Sequence, residues 1–328
     1  MIFGILYVLF LGGCANNHML HPENFQSFTK AWDPSDFEEA WKNNKPWVLS
    51  QMSHTAYFCE EKIKKTLSPY VMTGSNGKKL SPEIHFYENK PSQAFLIIWA
   101  EIKTAILAFR GTEVGEFRDL INDANIKQVA IDENNDVFVH QGFKNALDKI
   151  WNEEKEPNSN ILGDLKKLPS GTEIWVTGHS LGAAMATVAS LRYKFKEVVT
   201  FGEPVTGRNF SSIAKDIKHT RYVNDEDPVT LQGNDPLTKA ALCKLKFEHP
   251  KYSIRKWYYA PENPDDKKDH SIINYSTLLE KKEARMECKN SSNINYSNEF
   301  CSNEKPKKCD KPDDIKSSAT NWVPINWD

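Results

Sequence analysis

The chain is 328 residues long and carries 42 Lys+Arg against 44 Asp+Glu, a formal net charge of -2. With hydrophobic residues at 39% and aromatics at 11%, it can bury a core, which excludes a wholly disordered polymer. A pI near 6.5 and a mean hydropathy of -0.59 supply neither a basic surface for nucleic acid nor a polytopic membrane composition.

Residues Ile2–Gly13 read IFGILYVLFLGG, apolar throughout but too short to cross a bilayer as a helix. The run ends Leu11-Gly12-Gly13-Cys14 and turns polar at Ala15-Asn16-Asn17, so residues 1–13 read as a signal-peptide core. No Lys or Arg precedes it. The small residues before Cys14 resemble the bacterial lipoprotein box, in which that Cys thiol is lipidated and becomes the mature N-terminus. The expectation is an exported protein anchored to the bacterial cell envelope through Cys14, with simple secretion as the alternative. One acyl chain anchors weakly, so stable attachment takes more than one.

Residues 14–35 are polar and Asn-rich, a tether between anchor and body. From Phe37 to Leu67 the apolar spacing is helical, with Trp41, Trp47, Tyr57, Ile63 and Leu67 as candidates for buried faces. Ile84–Tyr87, Ala94–Ala100 and Thr104–Phe109 are β-rich runs. Glu113–Ile121 sets Val114, Phe117, Leu120 and Ile121 near helical spacing, a pattern that suits a lid and an ordinary surface helix equally. Val137–His140 then reads as a strand, Gln141–Glu154 as a helix, Glu173–Thr177 as a strand and Ala183–Tyr193 as a helix. Glu197–Phe201 is a strand, Phe210–Asp216 a helix and Arg221–Val223 a strand. Strands alternating with helices predict an α/β fold, a mostly parallel sheet covered on both faces.

The strongest chemical signal is the apolar strand Glu173–Thr177, then Gly178-His179-Ser180-Leu181-Gly182, then the small-residue run Ala183-Ala184-Met185-Ala186. This is G-x-S-x-G between a strand and a helix. A serine hydroxyl is a weak nucleophile, and a tight strand-to-helix turn lifts its oxygen clear of the chain. The helix N-terminus also turns N–H groups toward developing negative charge. Without strand and helix around it the pentapeptide is common; with them, a merely structural turn serine becomes the lesser reading.

An acid and a histidine are expected downstream, in that order. Strand Arg221–Val223 runs into Asn224-Asp225-Glu226-Asp227-Pro228-Val229, and spacing alone does not choose among Asp225, Glu226 and Asp227. His249 and His270 are the histidines that follow. His249 sits before Pro250 in a Lys-rich stretch, and His270 opens an apolar helical stretch.

Six blocks carry a resemblance to the class 3 lipases, the fungal triacylglycerol lipase-like family of α/β-hydrolases. They are Ala108-Phe109-Arg110-Gly111-Thr112; Val139-His140-Gln141-Gly142-Phe143; the elbow Val176–Ala184; Thr200-Phe201-Gly202-Glu203-Pro204; Arg221–Val229; and Asp269-His270-Ser271-Ile272-Ile273-Asn274-Tyr275. They stand in family order over residues 40–280, and the resemblance implies an α/β-hydrolase-type domain over 36–280. It implies Asp227 as the acid and His270 as the base of Ser180, with oxyanion donors at Thr112 and the Leu181 N–H. Asp225 and Glu226 become loop charges, and His140, His179 and His249 scaffold residues. The chain departs from the family where Val205 follows Pro204 in place of the usual Arg, and where the Trp usual after the oxyanion block is missing, leaving Phe117 or Leu120 to stand in.

The function implied is a serine ester hydrolase acting on acylglycerol esters through an acyl-enzyme, with no cofactor or metal. Alternatives are a phospholipase A1 or a short-chain carboxylesterase and, from another class, a non-catalytic surface-binding lipoprotein on a hydrolase scaffold. Residues 281–328 are Lys-, Asn- and Ser-rich, too poor in aliphatics to offset their ordering entropy. Setting Cys14 aside, the six cysteines leave five, Cys59, Cys243, Cys288, Cys301 and Cys309. An odd set cannot pair completely, and one local disulfide in the tail is expected. No CxxC pair is present, which argues against a zinc site. The chain ends in WVPINWD, whose Trp322 and Trp327 are candidates for docking back onto the body.

Overall fold

The computed structural model describes residues 37–112, 127–132, 136–151, 160–210, 217–224, 227, 229–230, 244–247, 249–250, 253–258 and 270–280. The expected signal peptide (1–13), Cys14, the expected tether (14–35), the lid candidate at 113–121 and the extension at 281–328 lie outside these residues.

Helical spacing over 37–67 resolves into three helices: α1 (Phe37–Asn43), α2 (Lys45–Thr55) and α3 (Glu60–Leu67). Pro46 sits in the first turn of α2, where its missing N–H costs nothing, so the chain restarts there rather than continuing α1. Trp41, Ile63 and Leu67 are buried, and Trp47 and Tyr57 partly so. A two-stranded hairpin follows, β1 (Met72–Thr73) with β2 (Lys79–Leu80).

The main sheet has seven strands in the order β12-β11-β9-β8-β5-β4-β3. These are β3 (Glu83–Asn89), β4 (Ser92–Trp99), β5 (Thr104–Phe109), β8 (Glu173–His179), β9 (Glu197–Phe201), β11 (His219–Asn224) and β12 (Ser253–Tyr258). From β5 through β12 every pairing is parallel, and β3 and β4 add an antiparallel meander at one edge. The expected α/β architecture with a mostly parallel sheet is what the chain adopts. β4 ends at Trp99, and Ala100 opens a 3-10 turn over Ala100–Ile102.

All eight residues of β4 are buried, because helices cover both faces. Alternate residues serve the two sides. Ala94, Leu96 and Ile98 face one core with α4 (Gln141–Trp151), α5 (Ile161–Lys167) and α6 (Leu181–Ser190). Phe95, Ile97 and Trp99 face a second core with α1, α2, α3 and α7 (Ile272–Glu280). α6 is buried along its whole length, which its Ala-rich sequence allows at close packing distance. A small antiparallel sheet, β10-β7-β6, holds β6 (Gln128–Ala130), β7 (Phe138–His140) and β10 (Gly207–Arg208).

β12 interleaves Arg255 and Lys256 with apolar residues and gives no alternating pattern, so sequence periodicity passes over it. Phe210–Asp216, expected as a helix, lies beyond Phe210 outside the described residues.

Candidate active site

β8 runs through Gly178 and His179, and α6 starts at Leu181, so Ser180 alone makes the turn. Its backbone sits at φ 57, ψ -126, a region that a non-glycine residue occupies only when the fold imposes it. Two glycines make the turn tight. A Cβ on Gly178 would fall 2.3 Å from Gly182 C, and one on Gly182 would fall 2.3 Å from Phe109 O. Strand, helix and the end of β5 therefore meet without side chains between them.

Asp227 follows β11, and His270 stands two residues before the first residue of α7. Forty-three positions apart in sequence, they are hydrogen-bonded: His270 Nδ1 lies 2.9 Å from Asp227 Oδ1 and 3.0 Å from Oδ2, both side chains buried. Val229 N–H donates to Asp227 Oδ1 at 2.8 Å, and the Tyr275 hydroxyl to Oδ2 at 2.5 Å. These donors aim the carboxylate at the imidazole and fix its tautomer, with the proton on Nδ1 and Nε2 left as the basic nitrogen.

His179, next to the elbow serine, carries more than packing. Its ring lies tilted by 33° against that of His270, with 4.5 Å between centroids. His179 Nε2 lies 2.6 Å from the His270 carbonyl oxygen, so Nε2–H donates there. That leaves Nδ1 to accept the Tyr57 hydroxyl at 2.8 Å. Burial, then the neighbouring His270, holds the His179 pKa well below its usual value, so this second imidazole stays neutral.

The loop after β5 closes the other side. A Cβ on Gly111 would lie 3.1 Å from Ser180 Cβ and 2.1 Å from the Tyr57 oxygen, so Gly111 abuts both. Thr112 follows, its hydroxyl buried and without a hydrogen-bond partner among the described residues. Ser180 Oγ is likewise buried and makes no hydrogen bond to a described residue. Leu181, the first residue of α6, has a backbone N–H with no carbonyl four residues back inside the helix.

Asp225 and Glu226 lie outside the described residues. His249 is engaged elsewhere, its Nε2 accepting from Arg221 Nη2 at 2.8 Å. His140 packs on Phe143 at 4.6 Å and on Phe247 at 6.0 Å, and burial pushes its pKa down to about 4. Cys59 is disulfide-bonded. No group of three or more His, Cys, Asp and Glu converges at metal distance among the described residues, and no helix among them is long and apolar enough to cross a membrane. From the sequence Tyr57 reads only as a buried-face residue, and Gly202 and Tyr275 carry no assigned role. Gly202 and Tyr275 do stand in the fourth and last of the six blocks, and that place in a motif is the available signal.

Residues 106–234 match the family model described as Lipase (class 3), a stretch that holds Thr112, Ser180, Leu181 and Asp227 but stops short of His270. A secreted mono- and diacylglycerol lipase 3 of Gibberella zeae is 28% identical over 140 residues, 39% of this chain and 43% of that protein. The chain thus spans less than half the length of that curated relative. Among solved structures, a mono- and diacylglycerol lipase from Aspergillus oryzae is 19% identical with a TM-score of 0.46, covering 71% of this chain and 82% of that one. A triacylglyceride lipase from Rhizomucor miehei is 20% identical with a TM-score of 0.43, covering 66% and 79%.

Proposed function

We propose that this protein is a serine ester hydrolase that cleaves acylglycerol esters, with Ser180 as nucleophile, His270 as general base and Asp227 as its orienting acid. The observation that carries this reading is the buried Asp227–His270 hydrogen bond, joined through His179 to the strained turn that presents Ser180. The match of residues 106–234 to the class 3 lipase model and the likeness to a secreted mono- and diacylglycerol lipase support the same class and substrate.

In this mechanism Ser180 Oγ attacks the ester carbonyl carbon as its proton passes to His270 Nε2. The carbonyl π electrons move onto oxygen, held by the Leu181 N–H and by Thr112. Collapse expels the alcohol, which leaves with the proton from His270. Water then attacks the acyl-enzyme with His270 again as base, releasing the fatty acid and restoring Ser180. Asp227 keeps the imidazole in the right tautomer and stabilises its cation; it is not itself protonated. Ser180 and His270 are closed off from solvent, so an opening at the site precedes substrate entry.

The test is covalent labelling by an alkyl phosphonate, which only an activated serine beside a base attacks quickly. An adduct on Ser180 by peptide mass spectrometry, lost together with hydrolysis in Ser180→Ala and His270→Ala, is the expected result. Active enzyme that carries no adduct, or carries it on another serine, overturns the assignment.

Export with lipid attachment at Cys14 belongs to the same proposal. It is supported by the apolar run Ile2–Gly13 that ends in a small-residue box. Cys14→Ser should move the protein from membranes to the soluble fraction or leave an unprocessed precursor. Unchanged attachment with the normal mature mass would sink it.

A further inference from the structure

Glu203 is a carboxylate with no solvent exposure, one residue beyond Gly202. Five side-chain groups surround its two oxygens. Thr187 donates to Oε1 at 2.8 Å and Thr206 at 3.1 Å, while Thr200 donates to Oε2 at 2.6 Å. His219 Nε2 lies 3.1 Å and Arg221 Nε 3.3 Å from Oε2. Arg221 in turn reaches His249. The cluster thus ties α6, β9, β11 and the loop after β9 to one point. Burial alone would raise this carboxyl's pKa, but the charges of His219 and Arg221 and the bond from His219 outweigh it and hold the group well below the usual carboxylate range.

Stability gives a weak reason for such a cluster. Replacing a buried ion pair by well-packed apolar residues is often neutral or favourable, since desolvation offsets the attraction. What distinguishes this one is its position. Three consecutive residues address three parts of the site: Phe201 O accepts the Ser180 N–H at 3.1 Å, Gly202 seats the Asp227–His270 pair, and Glu203 enters the cluster. A Cβ on Gly202 would lie 2.9 Å from His270 Cε1 and 3.0 Å from Asp227 Oδ2, so its backbone is the wall on which that pair rests.

We infer that Glu203 is a positioning residue: its buried network with Thr187, Thr200, Thr206, His219 and Arg221 clamps the Phe201–Glu203 segment and thereby sets the distance between Ser180 and the Asp227–His270 pair. The inference rests on the proposed hydrolase reading. It goes beyond it in assigning geometry at the reacting atoms to a charge that touches none of them.

The test compares wild type, Glu203→Gln, Thr206→Val and Asp164→Asn. Asp164 is a buried carboxylate bonded to His85, Tyr87 and Lys167 between β3 and α5, and serves as a control for loss of a buried charge elsewhere. For Glu203→Gln the expected result is a fall in kcat and in phosphonate labelling rate of about tenfold or more with KM little changed, the scale of loss for sub-ångström misplacement. The low-field proton resonance of the His270–Asp227 hydrogen bond should shift with it. Thr206→Val, which removes one of the five partners and folds more readily, should move the same three readouts in the same direction by less. Asp164→Asn should lower thermal stability and leave all three unchanged. If Glu203→Gln or Thr206→Val merely melts earlier while kcat, labelling and the resonance stay at wild-type values, the positioning role is refuted. Absence of labelling in wild type instead refutes the hydrolase reading, and the inference with it.

Discussion

The phenol of Tyr275 donates to Asp227 Oδ2 at 2.5 Å, and its oxygen accepts the Asn224 backbone N–H at 3.1 Å. Burial, then the Asp227 charge, raises the Tyr275 pKa well above its ordinary value, so the phenol is a permanent donor. One turn into α7, it ties the helix that follows His270 to the carboxylate that orients His270. Tyr275→Phe removes a charge-assisted hydrogen bond, worth about 1.5–3 kcal/mol, and strands the Asn224 N–H. Unfolding free energy in urea should fall by that order, and kcat severalfold, because Val229 N–H and His270 still hold the other oxygen. An unchanged unfolding free energy would show the short contact to be energetically idle.

The acid loop offers three carboxylates within three positions, of which Asp227 lies among the described residues and is hydrogen-bonded to His270. Asp227→Asn should keep the fold but favour the wrong His270 tautomer, with turnover falling on the order of 10⁴. Asp225→Asn should cost far less. Steady-state hydrolysis by the two purified variants decides it, and a reversed order would move the acid by two positions.

The elbow was readable because its chemistry is local: strand, turn serine and small-residue helix lie in one contiguous stretch, and the flanking glycines have no other explanation as economical. β4 and β5 were readable because a strand buried on both faces is a continuous apolar run. Spacing alone does not choose Asp227 over its neighbours or His270 over His249, and only the resemblance to the lipase blocks implies both. Both partners are brought together by β11 and α7 across 43 positions, a distance no spacing rule spans. Glu203 was opaque for another reason: composition reads a carboxylate as surface, and only three threonines, a histidine and an arginine from separate elements make its burial tolerable. His179 and Tyr57 read as packing residues because neither the His179 bond to the His270 carbonyl nor the Tyr57 hydroxyl on His179 Nδ1 leaves a trace in side-chain pattern.

Three buried histidines make stability depend on acid. Burial, assisted by Lys62, pushes His54 down to about 3; burial pushes His140 to about 4; burial and His270 hold His179 well below the ordinary value. Each folded pKa is depressed, so below about 6.5 the unfolded chain takes up protons that the folded protein refuses. The stabilising contribution is complete above that pH and is lost as pH falls toward the folded values. The slope is about 1.4 kcal/mol per pH unit per histidine, or about 4 for the three between roughly pH 6.5 and 4. Glu203, whose folded pKa is also depressed, adds a loss as pH falls below the ordinary glutamate value of about 4.3. His85 is raised, with Asp164 and Glu83 overcoming its burial, so its contribution is lost as pH rises above about 6.5 and does not oppose the acid limb. Urea unfolding at pH 7, 6 and 5 should show the decline, and His140→Gln should remove about a third of the slope. A flat profile would mean that these rings meet water in the folded state.

Gly202 is the position where a single methyl should separate catalysis from folding. Its φ is +57, where an L side chain costs about 1–2 kcal/mol. The new Cβ would stand 2.9 Å from His270 Cε1, too close for a carbon contact, and a tight 3.0 Å from Asp227 Oδ2 and 3.1 Å from His270 Nδ1, so the neighbours must give way. Neither neighbour is the loose end of a flexible chain. Asp227 is held by Val229 N–H and Tyr275, and His270 by Asp227 and by His179 at its carbonyl. The displacement therefore falls on the pair itself, and Gly202→Ala should lower kcat on the order of 10², the cost of about 1 Å of misplacement, with KM little changed. Gly77→Ala is the matched control. Gly77 also has a positive φ, +77, but nothing lies within 4 Å of its Cβ position, so that variant should lose similar stability and keep full activity. Paired measurements of thermal unfolding and ester hydrolysis read both effects. Equal loss of activity in the two variants would mean that general destabilisation, not the Gly202 wall, accounts for it, and full activity in Gly202→Ala would show that the Asp227–His270 pair does not rest there.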